Sequence, residues 1–252
     1  MPSVGLVVPA YRPNVDRLSA YVRALDERIA PTTIRIELDD PLPSTLQELD
    51  GLPATVATVP YRRGKGAAVT AGFEALDTDV LAFADADGAT PAESVADVLA
   101  PLLEGRSAVA VGSRRHPDAE VVSHQTRARR RMGDAFARVA RRLLDVDLYD
   151  FQCGAKAITA DAWVAVRDHL YEPGFAWDVE FVAIAGALGY PPVEVPVTWC
   201  DQPDSTVDPL RTALEMAQAL VLARHRALRL QNHRFHGAFP TTTTALVDRG
   251  PR

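Results

Sequence analysis

The sequence predicts an α/β fold: a doubly wound, mostly parallel sheet flanked by helices. Two observations carry this expectation. Short apolar, β-rich runs alternate with stretches of helical period, which implies parallel pairing through right-handed crossovers. The chain of 252 residues is 47% apolar and 24% charged, a globular balance that can bury a sizeable core without disulfide or metal staples. Intrinsic disorder, a collagen-like chain and a disulfide scaffold are excluded.

Taken in order, Val4 to Val8 is a strand ending at Pro9, and Asn14 caps a helix with apolar positions Val15, Leu18, Val22 and Leu25. Ile34 to Leu38 and Ala54 to Val59 read as strands, Lys65 to Leu76 as a helix, and Val80 to Ala84 as a strand running into Asp85. Pro91 suits the first turn of a helix continuing to Leu103, and Ala108 to Val111 is a further strand. The second half is less regular. It holds an arginine-dense helix from Thr126 to Leu144, a strand from Ala155 to Ile158 and a helix through Trp163 and Val166. A helix from Asp178 to Leu188, a strand from Val193 to Thr198 and a last helix from Pro209 to Leu230 follow. The expected organisation is one main domain over 1–208, a C-terminal amphipathic helix over 209–232 and a mobile tail over 233–252.

The net charge of −6, from 27 basic and 33 acidic residues, argues against a nucleic-acid binder. Cys153 and Cys200 form no CxxC pair and read as reduced thiols, which suits a cytoplasmic location. The N-terminus has no basic segment followed by an apolar one, and no apolar run approaches the roughly 18 residues that a bilayer span requires. A soluble or membrane-peripheral chain is expected.

The most informative stretch is Leu81 to Thr90, where an apolar strand ends in Asp85 and Asp87. In open α/β sheets, ligands bind outside the carboxyl ends of the strands. Two carboxylates this close repel unless a cation sits between them or one is protonated, so the pair either holds a hard divalent ion or forms a solvated turn. Gly64-Lys65-Gly66 opens a helix, a place for an anion or a plain loop with a solvated lysine; the P-loop spacing is absent. Arg127, Arg129, Arg130, Arg131, Arg138, Arg141 and Arg142 crowd one helix that has few partner acids. They form either a solvated surface or a face for phosphate or anionic lipid. Asp178 and Glu180 begin a helix and either complement its dipole or act on an acceptor. The last helix carries Arg224, His225, Arg226 and Arg229 beside an apolar stripe, which lies on an anionic membrane or packs on the domain.

In order and spacing, these pieces resemble family-2 glycosyltransferases of the GT-A fold. More narrowly they resemble the polyprenyl- or dolichyl-phosphate sugar synthases, and in motif most of all the dolichyl-phosphate glucosyltransferases. The resemblance begins at Val7-Val8-Pro9-Ala10-Tyr11 and continues through Arg63-Gly64-Lys65-Gly66-Ala67-Ala68 and Gly72. It then takes in Asp85-Ala86-Asp87-Gly88-Ala89-Thr90, Gly112-Ser113-Arg114 and Gln152-Cys153-Gly154-Ala155-Lys156. Trp177-Asp178-Val179-Glu180, Glu194-Val195-Pro196-Val197-Thr198-Trp199 and Asp204-Ser205 complete it. One departure stands out: Asp39-Asp40 is followed by Pro41-Leu42-Pro43 where the family has Gly-Ser.

The resemblance implies an inverting transfer of a hexose from a nucleotide-diphosphate sugar, UDP-glucose or GDP-mannose, to a polyprenyl phosphate. Asp39 or Asp40 would hold the base or ribose, with Pro9 and Tyr11 beside them, and Lys65 would approach the donor. Asp85 and Asp87 would hold Mg2+ or Mn2+ on the diphosphate. Arg114, Arg127 and Arg131 would clamp an acceptor phosphate, with Arg130 as substitute. A sugar-hydroxyl acceptor would instead need a base, for which Asp178 is placed. Partners would be a membrane surface or a membrane protein. A non-catalytic partner of a membrane glycosyltransferase is the rival expectation.

Overall fold

A seven-stranded sheet organises the molecule, with strand order β3-β2-β1-β4-β7-β5-β8. The computed structural model describes residues 2–122, 127–200, 209–231, 233 and 243–249, and the side chains of 127–132 and 209–215 are outside that description. The first half runs β1 (Val4–Tyr11), α1 (Val15–Ile29), β2 (Thr33–Asp39), α2 (Pro43–Glu48), β3 (Thr55–Val59), α3 (Lys65–Glu74), β4 (Val80–Ala84), α4 (Ala92–Leu103) and β5 (Val109–Ser113). The second half runs β6 (Glu120–Val121), α5 (Arg127–Leu143), β7 (Ala155–Thr159), α6 (Ala160–Val166), α7 (Trp177–Ala187), β8 (Val193–Pro196), β9 (Thr198–Trp199) and α8 (Pro209–Leu230).

The strands pair in parallel except β7, which is antiparallel to both β4 and β5. Successive side chains of a strand point to opposite faces. Leu6, Val8, Ala82 and Ala84 therefore join α1 and α4 on one side, while Val7, Leu81 and Phe83 join α3, α6 and α7 on the other. α8 belongs to this second core through Met216, Leu220 and Ala223. Asn14 caps α1 as expected, its side chain accepting from the Arg17 amide.

Several boundaries differ from expectation for physical reasons. β1 continues through Pro9 to Tyr11, because its pairing with β4 stops at Val7 and the proline falls where only β2 is its neighbour. The run Val193 to Thr198 divides at Val197 into β8, which pairs with β5, and β9, which pairs with β6 in a separate two-stranded sheet. Pro43 sits at the first position of α2, a helix the sequence reading passed over. Within the stretch expected as a tail, Ala245 and Leu246 are buried, and Leu246 through Asp248 form a 3-10 turn.

Candidate active site

The order of strands reverses direction between β1 and β4, and the candidate site lies at the carboxyl ends of the strands there. β1 delivers Tyr11, β2 delivers Asp39 and β4 runs into Asp85. Because β7 is antiparallel, its beginning rather than its end comes to the same edge, so that Ala155 pairs with Ala84 and Lys156 with Phe83.

Lys65 is the centre of this arrangement. It stands at the start of α3, and its Nζ lies 2.9 Å from Asp85 Oδ1 and 2.8 Å from Asp178 Oδ2. Lys156, 1% exposed, donates to Asp178 Oδ1 at 2.6 Å and to the Cys153 carbonyl at 2.7 Å. Both ammonium groups approach the Phe83 ring, at 4.8 and 5.6 Å from its centroid. Burial alone would lower the pKa of Lys65, but Asp178 and Asp85 outweigh it and hold the amine charged. Burial likewise pushes Asp178 up, yet Lys156 and Lys65 together hold it below the ordinary carboxylate range.

Asp178 is thus a carboxylate 2% exposed, with each oxygen taken by an ammonium group. It is the anion that seats two lysines.

Asp85 and Asp87 frame a tight turn. Gly88 donates to the Asp85 carbonyl at 3.2 Å with φ of 66°, and Asp87 Oδ1 accepts from the Ala89 amide at 2.9 Å. Tyr21 of α1 ties down the far side by donating to the Thr90 carbonyl at 2.6 Å. Burial raises the Asp85 carboxyl; Lys65 opposes this, while Asp178 and Asp87 add to it. The two acids offer hard oxygen donors suited to a divalent cation. Gly154 keeps the space beside Asp85 open, since a Cβ there would lie 2.5 Å from Asp85 Cγ. The residues present fit such an ion. Among the described residues no cluster of three or more His, Cys, Asp or Glu side chains closes around a metal.

Asp39 is buried and turned toward the loop before α3. Oδ2 accepts from the backbone amides of Arg63 and Gly64 at 2.6 and 3.0 Å, and Oδ1 accepts from Arg63 Nε at 2.7 Å. Arg63 also lies 2.9 Å from the buried Glu37, which Arg35 approaches at 2.5 Å. Asp40 is more open and pairs with Arg12 at 2.6 Å. Both have φ in the left-handed region, 44° for Arg12 and 48° for Asp40. Tyr11 is exposed, with the Arg62 guanidinium 4.4 Å and the Arg12 guanidinium 5.4 Å from its ring centroid. Pro9 is buried within β1.

Arg114 follows β5, but it is not a free clamp. Its Nε and Nη2 form a fork onto Asp150 at 2.6 and 3.0 Å, and Asp150 is held ionised by that pairing despite burial. Arg127 and Arg131 lie on α5, and their side chains, with that of Arg130, fall outside the described residues. α8 packs against the domain: Arg224 donates to the Leu143 carbonyl and Arg226 to Glu180. Sequence reading missed Glu37, Asp150 and Lys156 as parts of the site. Lys156 stood in a quoted motif, and a lone lysine in an apolar strand was the available signal.

Comparison with known proteins bears on family and fold. The family model for glycosyl transferase family 2 matches residues 7–163. The chain is 33% identical over 160 residues to glycosyltransferase AglD of Haloferax volcanii, covering 64% of this chain and 25% of that protein. It is 32% identical over 179 residues to the dolichyl-phosphate beta-glucosyltransferase of Mus musculus, covering 69% of this chain and 55% of the relative. The chain thus spans about half the length of the glucosyltransferases it matches and a quarter of AglD. Among solved structures it is similar to mannosyl-3-phosphoglycerate synthase from Rubrobacter xylanophilus, with a TM-score of 0.68 at 17% identity over 96% of this chain and 77% of that one. It is also similar to glucosyl-3-phosphoglycerate synthase from Mycobacterium tuberculosis, solved with phosphoglyceric acid, with a TM-score of 0.65 at 15% identity over 96% of this chain and 82% of that one. The fold is the mostly parallel GT-A arrangement, and the chain belongs to glycosyl transferase family 2.

Proposed function

We propose that this chain transfers a hexose from a nucleotide-diphosphate sugar to a polyprenyl or dolichyl phosphate. The observation that carries the reading is the convergence of Lys65, Asp85 and Asp87 at the carboxyl ends of the strands. The names of the relatives support the acceptor class, and the M. tuberculosis structure solved with Mn2+ and uridine diphosphate supports a divalent ion and a nucleotide donor. Asp85 and Asp87 would hold Mg2+ or Mn2+. When bound, that ion would neutralise charge developing on the leaving diphosphate. Lys65, kept charged by its carboxylates, would orient the donor from the start of α3. Asp39 would shape the nucleoside side through Arg63, with Asp40, Pro9 and Tyr11 at its edge.

The occupied carboxylates favour a phosphate acceptor over a sugar hydroxyl. Asp178 and Asp150 are both locked in ion pairs, and a phosphate oxygen is already anionic and needs no general base. Arg127 and Arg131 would face that phosphate, while Arg114 is held by Asp150. Among the described residues no helix is long and apolar enough to cross a membrane.

The test is mass-spectrometric product detection from purified protein with Mn2+ or Mg2+, a polyprenyl phosphate, and UDP-glucose or GDP-mannose in parallel. A lipid-phosphate hexose formed with one donor supports the reading. Metal-dependent donor binding with product only on a hydroxyl acceptor overturns the acceptor class. Neither product nor binding overturns the enzyme reading.

A further inference from the structure

The segment between α6 and α7 closes over the start of α3, and two separate parts of the C-terminus hold it there. α3 has no side-chain cap, because Gly64 precedes it. Its first-turn amide at Ala67 donates instead to the Pro173 carbonyl at 3.1 Å. The approach is close: a Cβ on Gly64 would lie 2.5 Å from the Pro173 oxygen, and one on Gly66 would lie 2.5 Å from the Glu172 oxygen. This strap is itself bound from behind. Glu180, 2% exposed, accepts the backbone amides of Tyr171 and Glu172 on Oε2, each at 2.8 Å. Its Oε1 meets Arg226 of α8, whose guanidinium also lies 4.6 Å from the Tyr171 ring centroid. Arg249 donates from Nη2 to the Tyr171 carbonyl at 2.7 Å, and the Leu246 amide donates to the Leu170 carbonyl at 2.8 Å.

The site described above uses none of Glu180, Arg226 or Arg249. An apolar side chain could pack α8 at least as well as a buried ion pair, which is costly to desolvate. The pair adds direction: it fixes the strap's backbone, which fixes the first turn of α3. We propose that α8 and residues 243–249 form a clamp on the strap 170–174. Arg226, acting through Glu180, and Arg249 are its positioning residues, holding Lys65 against Asp85 and Asp178. The clamp deepens the donor site, and rests on that reading only for its effect on donor binding.

The test compares amide hydrogen exchange in the full chain and its Arg226→Ala, Arg249→Ala and Leu220→Ala variants. Leu220 is a buried position of α8 that makes none of these bonds, so its loss reports general destabilisation. Measured at matched global stability, Arg226→Ala and Arg249→Ala should speed exchange across 64–68 and 171–174 by at least about tenfold over Leu220→Ala. They should also raise the Kd for UDP or GDP with Mn2+ severalfold, with Leu220→Ala leaving it near wild type. Should Arg226→Ala fail to fold, Arg249→Ala carries the comparison. Exchange at 64–68 that matches Leu220→Ala overturns the clamp. A wild type that binds neither nucleotide overturns the donor reading, while the exchange comparison still decides the clamp.

Discussion

Asp178 sits between two ammonium groups, and that placement sets what it can do. Removing its charge leaves Lys156 buried beside no anion, so Asp178→Asn should cost about 3 kcal/mol at neutral pH. The sign of the pH dependence follows from its depressed pKa. Its stabilisation is complete above the unfolded carboxylate value of about 3.9 and fades as pH falls through the lower folded value. Urea melts should therefore show the gap between wild type and Asp178→Asn narrowing below about pH 4; a gap constant with pH contradicts the ion-pair account. Asp87 behaves differently, because it is exposed at the turn and supports little of the core. Asp87→Ala should leave the circular dichroism spectrum and Tm near wild type while reducing Mn2+-dependent transfer at least about a hundredfold. Unchanged turnover would remove the metal assignment. Asp85, Asp87 and Lys65 were legible as candidates because strand ends and glycine-flanked helix starts are local patterns. Asp178 as a seat for Lys65 and Lys156 was not, since those partners are distant in sequence and meet only across the folded sheet.

At the scale of elements, glycine positions control how closely the pieces approach. Gly154 precedes β7 and faces Asp85, where an added methyl meets Asp85 Cβ at 2.9 Å as well as Cγ. The clash involves the root of the side chain, so a rotamer change does not relieve it. Gly154→Ala should weaken Mn2+ binding at least about tenfold by displacing Asp85, and titration calorimetry checks this; an unchanged Kd would show that Asp85 gives way without cost. Most strands and helices were readable from period, turn residues and caps. The direction of β7 was not, because an apolar run reads alike in either sense and only its partners β4 and β5 define it. α8 was readable as basic and amphipathic, but the same pattern serves a membrane or a core. Arg226 turning to a buried Glu180 resolves the choice for that residue in favour of the core.

Across the whole molecule, the C-terminus completes the fold. Leu246, 7% exposed, joins the core that holds Trp163 and Trp177. A chain ending at residue 242 should lose about 2 kcal/mol, from the burial of Leu246 and the bonds of Arg249. At this size that is a fall in Tm of roughly 4–8 °C, which a thermal scan reads directly. An unchanged Tm would return the tail to the mobile state expected from its lack of period.

The sequence by itself determined the layered α/β class, nearly every element, the two acids at the end of β4 and the family likeness. The first three rest on periods and spacings a few residues long, and the last on a resemblance carried by the order of motifs along the chain. Tertiary structure alone decided that β7 runs backwards, that Asp178 pairs with two lysines, and that Arg114 pairs with Asp150. It also decided that the C-terminus reaches the strap over α3. Each depends on which charges lie within a few ångströms once distant segments pack, and burial then fixes whether a side chain binds, positions or reacts.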